Sequence, residues 1–359
     1  MGFLKSVVSK YKEKNSVPNQ NVQVNRQTNN EQVNSIYPVV QDLVLLSVCE
    51  SFKTIETKYP DYLRTEYEIG FPNEKLKALE KSGKIRPSNN AESLYHLKAT
   101  ELKEIATQYG LKASGKKEKL CEIIKEQVPE QALDQYIKNR YWVLTENGKS
   151  FLKQFSFIEY FTGKHEYSLN VAGIKINAIF DIFNKHPNMP VRDIIWGECN
   201  RKSLEYYQLG MSKGEFRNYC ELLRTMALFL KEENRWQDSL YLYTRYMHYH
   251  INFESSLKAM QYYSVLKDKN GTTENLFINS EILPFTANEI MSISNGCGLD
   301  SNQLQKFIFD ALLKEKDEGI FTAKQLTDFI MFGLNGNKEG QMQICRAAVN
   351  TMIKNSSKR

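Results

Sequence analysis

The chain has 359 residues, enough to bury two or three separate cores. With 41% hydrophobic and 25% charged residues it has the make-up of a folded globular protein, which excludes a wholly disordered or fibrous chain. A net charge of +6 permits nucleic-acid contact without demanding it. No run of about eighteen apolar residues offers a membrane span, and six scattered cysteines without a C-x-x-C pair point to free thiols in a reducing cytoplasm.

In chain order, MGFLKSVVSKYKEK reads as a short basic amphipathic start rather than a secretory leader, although Gly2 and Ser6 also satisfy the myristoylation pattern. Asn, Gln and Ser then dominate, so residues 1–36 form a polar N-terminal tether. Residues 37–95 are expected to be helical. The best amphipathic run there is Gln41–Tyr59, and Pro60 and Gly70-Phe71-Pro72 break the pattern. A helix from about Asn73 to Ser82 should stop at Gly83, and Ile85 should begin an extended piece. Further on, Tyr141–Lys149 (YWVLTENGK) has the form of a strand stepping into a capped helix. Both fragments resemble parts of winged-helix proteins, the first the end of the reading helix and the second the strand-to-helix step.

Between them lies Leu97–Val128, LKATELKEIATQYGLKASGKKEKLCEIIKEQV. Leu102, Ile105, Ala106 and Tyr109 form one apolar stripe at i, i+3, i+4 and i+7, and Gly110 supplies a helix end. After a short connector, Ser114 is placed to cap a second helix whose first turn is Gly115-Lys116-Lys117 and whose inward face is Leu120, Ile123 and Ile124. Freed backbone amides, a small glycine and adjacent ammonium groups together make a place for phosphate.

These residues (Leu102-Lys103, Ala106, Gly110-Leu111, Ser114-Gly115-Lys116-Lys117, Leu120 and Ile123-Ile124) resemble the SAP module, a helix–loop–helix DNA-binding unit. The resemblance covers residues 96–128 and implies AT-rich duplex binding through the start of the second helix and the loop before it. The residues it implies as DNA-binding are Lys112, Ser114, Gly115, Lys116, Lys117 and Lys119. Seven Lys against five Glu give Leu97–Val128 a net charge of only +2, and it holds no Arg for a minor groove. Preference among DNA sequences should therefore be modest. Related helical hairpins bind RNA or protein. In layout the chain resembles uncharacterised SAP-domain proteins of phages and prophages of low-GC Gram-positive bacteria.

Residues 129–154 read as a connector and 155–359 as an irregular all-α domain. Its helical patterns lie near Ile174–Lys185, Val191–Trp196, Lys213–Glu233, Trp236–Asn252, Ala287–Ile293, Ser301–Lys316, Thr322–Gly333 and Glu339–Asn355. Pro187–Pro190, Asn270-Gly271, Gly296–Gly298 and Asn335–Asn337 punctuate them. The fold class is thus mainly α: a SAP-like hairpin, winged-helix-like flanks and an all-α C-terminal domain.

No phosphate loop, nucleophile elbow or metal-ligand spacing is visible, so no catalytic residue, metal or cofactor is expected. His248 and His250 point to different sides of one helix. Cys199 reads as a structural thiol, and the aromatic run Trp236–Phe253 as core packing. The expectation is a non-enzymatic, cytoplasmic protein that binds double-stranded DNA, with self-association open. The rival is a protein-interaction adaptor whose C-terminal helices dock a partner.

Overall fold

The computed structural model describes residues 35–112, 114–213, 216–316 and 319–357. The basic start and nearly all of the polar tether lie outside the described residues. The chain is mainly α-helical and divides into two compact units, the first comprising 28–165 and 176–191, the second chiefly 166–175 and 192–359.

In chain order the first unit contains α1 (Pro38–Val48), α2 (Tyr62–Thr65), α3 (Pro72–Lys81), β1 (Ile85–Pro87), α4 (Asn90–Ser93), α5 (Ala99–Gln108), α6 (Lys117–Gln127), β2 (Trp142–Leu144), α7 (Glu146–Lys153) and α8 (Ile176–Lys185). Pro38 opens α1, where a missing N–H costs nothing, and the helix buries Val40, Leu43, Val44, Leu45 and Leu46. The expected run to Tyr59 is only partly helical. After Val48 comes a single 3-10 turn (Cys49–Ser51), and only then does the chain turn extended, bury Phe52 and pair through Lys53 with Tyr141. The Trp142 amide donates to the Phe52 carbonyl and the Thr54 amide to the Arg140 carbonyl, so tertiary pairing overrides the helical pattern.

The expected helix stop is realised as a left-handed cap. Gly83 has φ +71°, and the Lys84 amide returns to the Leu79 carbonyl at 3.0 Å. β1 then pairs antiparallel with β2 in the register Ile85↔Leu144, Arg86↔Val143 and Pro87↔Trp142. The two short fragments singled out in the sequence are therefore partners. Thr145 fixes the joint: its hydroxyl donates to the Gly83 carbonyl (2.6 Å) and accepts from the Gly148 amide (3.1 Å), which starts α7. Gly148 is required here, because a Cβ would lie 2.0 Å from the Lys84 carbonyl oxygen.

Residues 88–141 are an insertion between the two strands, and they contain α5 and α6 packed together around a core of their own. Leu102, Ile105, Ala106, Leu120, Cys121 and Ile124 pack with Leu94, Val128 and Leu133. The pair is wider than the 96–128 segment: Asn90 closes its base by donating from Nδ2 to the Glu130 carbonyl and to Asp134, each at 2.8 Å.

Segments 155–165 and 176–191 also belong to the first unit rather than with the C-terminal helices. Phe155 and Phe157 meet Phe180 and Phe183 of α8 at 5.5–6.3 Å between ring centroids, and the Tyr37 hydroxyl donates to Asp181 at 3.2 Å. Aromatic burial outweighs sequence proximity there.

The second unit holds α9 (Val191–Lys213), α10 (Phe216–Glu232), α11 (Trp236–Tyr249), a π-helical turn (His250–Ser255), α12 (Ser256–Leu266), α13 (Lys269–Ser280), α14 (Pro284–Gly296), α15 (Ser301–Leu312), α16 (Ala323–Leu334) and α17 (Lys338–Ser357). Its core draws Leu240, Tyr243, Met247, Ile251, Leu276, Ile293, Ile308, Phe329 and Val349 together. Helices α12 and α13 have no counterpart among the helical patterns expected from the sequence. The turn expected at Asn270-Gly271 occurs instead at Lys267, whose φ is +53°, and Asp268 caps α13 by accepting from the Asn270 amide at 3.0 Å. Gly271 lies inside α13, where a Cβ would come 2.4 Å from Asp268 Oδ2 and 2.7 Å from the Tyr262 hydroxyl oxygen. No described helix is long and apolar enough to cross a membrane.

Candidate nucleic-acid interface

The hairpin is built as the sequence dictates up to its loop. α5 buries Leu102, Ile105 and Ala106 on one stripe, and the Glu101 carboxylate accepts from the Lys98 amide at its start (2.6 Å). Gly110 ends it with φ +66°, and the Leu111 amide donates to the Ala106 carbonyl at 2.7 Å.

The start of α6 differs from expectation. Gly115 takes φ +124°, a backbone value no helix accommodates, so the helix begins at Lys117 with Lys116 as its flanking residue. Ser114 is exposed and lies outside the capping position. Ala113 lies outside the described residues. The first intrahelical amide is Leu120, donating to the Lys116 carbonyl at 3.2 Å. The amides that precede it in α6 are those of Lys117, Glu118 and Lys119, and these, not the Ser114 and Gly115 amides, are positioned to meet an anion. Cys121 occupies the inward face, while Ile123 is half-buried.

Lys112, Lys116 and Lys119 are exposed and Lys117 is half-buried. Among the described residues, no carboxylate forms an ion pair with any of them. Gly115 lets the chain lie against the Lys119 stem, with its Cβ position 3.5 Å from that side chain. Glu118 is the one acid of the first turn and is exposed. Beside the helix start, the His96 ring stacks on Tyr141 at 3.6 Å and 7°. Burial, then the Lys117 charge, push the His96 pKa down against a smaller opposing pull from Glu50, which favours the neutral ring. The insertion thus presents an ammonium cluster next to the end of β2. The outer face of α3 adds Lys77 and Lys81, exposed among Glu74 and Glu80.

No family model, curated protein or solved structure matches the chain.

The second unit uses its basic side chains differently. Arg201 pairs with Glu198 (2.6 Å) and Glu205 (3.1 Å), and Lys202 with Glu205 (3.0 Å). Arg224 pairs with Glu289, which also accepts from the Tyr243 hydroxyl at 2.6 Å. The aromatic run is largely interior. Trp236 lies against Gly296, Tyr243 and Tyr249 are buried, and Tyr249 meets Tyr219 edge-on at 4.9 Å. Cys199 is buried, and burial followed by the Glu198 charge pushes its thiol up to about 12, so it carries no thiolate at neutral pH. A recess of about 440 Å³ is lined by Tyr207, Tyr219, Tyr241, Arg245 and Tyr249 with one carboxylate, Glu315. Glu315 lies 2.9 Å from Arg245 and accepts from Tyr249 at 3.2 Å.

Proposed function

We propose that this is a non-enzymatic, cytoplasmic protein that binds double-stranded DNA through the SAP-like start of α6. Lys116, Lys117 and Lys119 neutralise phosphates, the Lys117, Glu118 and Lys119 amides hold one phosphate oxygen, and Lys112 reaches along the backbone. The observation carrying the reading is that, among the described residues, no carboxylate pairs with these ammonium groups, which lie beside the first-turn amides of α6 on a largely exposed turn.

The frame around the turn supports the same reading. The order α1, the extended residue Lys53, α2, α3 and then β1 paired with β2 resembles the order of a winged helix, in which the α5–α6 pair would take the place of the wing tip. In such a frame α3 is the groove-facing helix, and its Lys77 and Lys81 add backbone contacts. Two modest modules on one body give the avidity that a single small module lacks.

The test is duplex binding by the full chain. Replacing Lys116, Lys117 and Lys119 by Ala should weaken binding by at least about tenfold, equally for AT-rich and GC-rich duplexes, because phosphate contacts carry no sequence information. Loss confined to one sequence would replace the phosphate grip with base readout, and unchanged binding would remove this site from the account.

A second reading, the protein-interaction adaptor, is favoured by one observation in the second unit. Val265 and Leu266 of α12 and Ile278 of α13 are 78%, 57% and 71% exposed, an apolar group on one helical pair. A variant with all three changed to Ser that still binds duplex DNA but loses a protein partner would support the adaptor role.

A further inference from the structure

The second unit brings Cys220 together with two donors that lie some thirty residues further along the chain. Cys220 lies on α10, and His250 and Glu254 lie on the π-helical turn that follows α11. One donor atom from each (the Cys220 Sγ, a ring nitrogen of His250 and a carboxylate oxygen of Glu254) lies within 4.8 Å of the other two. We infer that Cys220, His250 and Glu254 form a binding site for a divalent late-transition-metal ion of the Zn2+ type.

The donor set argues for that class. Thiolate, imidazole and carboxylate together suit Zn2+ and its neighbours, whereas Mg2+ and Ca2+ take oxygen donors. Metal bonds of about 2.0–2.3 Å at tetrahedral angles place a nitrogen and an oxygen donor about 3.4 Å apart. His250 Nδ1 and Glu254 Oε2 are 3.0 Å apart, so the pair needs only to open slightly. Closing the Cys220 sulfur onto the same centre takes a side-chain shift of roughly an ångström.

The surroundings hold the donors in place. Phe216 of α10 stacks on Phe253 of the π turn at 5.3 Å, clamping the two elements at the site. Tyr246 stacks on the His250 ring at 5.6 Å and 18°. Lys258 donates to the other oxygen of Glu254 at 2.9 Å, leaving Oε2 to act as a single-oxygen donor oriented from behind. Insertions of a π turn into α-helices recur at functional sites, and this one carries two of the three donors.

Access and charge balance agree. Cys220 is 1% exposed, while the His250 and Glu254 side chains are 24% and 13% exposed, so an ion enters from their side and retains a water in its fourth position. On binding, the Cys220 thiol proton leaves to solvent and the thiolate takes up the metal. His250 binds through Nδ1 with its proton on Nε2, and Glu254 is already an anion. Replacing a neutral thiol by a thiolate next to the Glu254 carboxylate is favourable only with the cation between them.

The experiment is Co2+ titration of the metal-stripped full chain under reducing conditions, followed by absorption spectroscopy. One equivalent should produce the near-ultraviolet band of thiolate-to-cobalt charge transfer with tetrahedral visible bands, and Zn2+ should erase both. Cys220→Ser should abolish the charge-transfer band, while Cys297→Ser, which alters a more accessible thiol, should keep it. No such band, or a band that survives in Cys220→Ser, overturns the site. Should Cys220→Ser fail to fold by circular dichroism, His250→Gln decides. Co2+ affinity weaker by about tenfold or more supports the site, and unchanged affinity overturns it.

Discussion

The start of α6 and the α9–α10 region both carry several cations, yet the structure uses them in opposite ways. Around α9 and α10, Arg201, Lys202 and Arg224 each face a carboxylate, and Arg224 and Glu289 are held in a partly buried network with Tyr243. At α6, Lys116 and Lys119 are exposed and Lys117 is half-buried, and among the described residues none of them pairs with a carboxylate. The sequence looks similarly basic in both places, since Glu is interleaved in each. Partnering, set by three-dimensional packing, separates cations that hold the fold from cations free to meet a ligand.

That contrast is broken or sharpened by stability measurements, the largest effect first. Arg224→Ala should lower unfolding free energy by about 3 kcal/mol in denaturant titration, because it strands Glu289 in a partly buried site. A loss under about 1 kcal/mol would mean that the pair is only decorative. Gly148→Ala should cost about 2 kcal/mol, since its Cβ meets the Lys84 carbonyl and must part β1 from α7. The same loss should appear as a lower thermal midpoint.

Acid should weaken the α9 pairs more gently. The Lys202 hydrogen bond, with Arg201 beside it, holds the Glu205 carboxyl below its ordinary value of 4.5. A carboxylate lowered in the folded state stabilises above its unfolded pKa, and that contribution fades as pH falls through the folded one. Glu205→Gln should therefore flatten the stability–pH curve below about 4.5, by less than about 1 kcal/mol at this solvent-screened position. A variant curve that tracks wild type would exclude Glu205 from acid sensitivity. Smallest of all, Ala at Lys116, Lys117 and Lys119 together should alter stability by no more than about 0.5 kcal/mol. A larger loss would show these lysines to be structural after all.

Much of the fold was legible because its signals are local. The stripe of Leu102, Ile105 and Ala106, the left-handed caps at Gly83 and Gly110, and the Thr145 cap each depend on residues a few positions apart. What was hidden depends on distant partners or on one backbone angle. Nothing in the periodicity says that Ile85 pairs with Leu144, or that Phe155 belongs with Phe180. At the site, the lysines were legible as a cluster. Gly115 was expected inside the helix, yet its φ of +124° ends the loop and moves the free amides to Lys117, Glu118 and Lys119. Asn270-Gly271 reads as a break, but Gly271 is a close-packing residue inside α13. Cys220 and His250 carry no shared motif, and only the packing of α10 against the π turn brings them together.

The most direct test of the central claim is the salt dependence of duplex binding by the full chain, wild type against the Lys116/Lys117/Lys119 triple Ala variant. Each phosphate neutralised contributes roughly 0.9 to the slope of log affinity against log salt, so the variant's slope should be shallower by roughly 2 to 3. Parallel lines for the two proteins would contradict a phosphate grip at the start of α6.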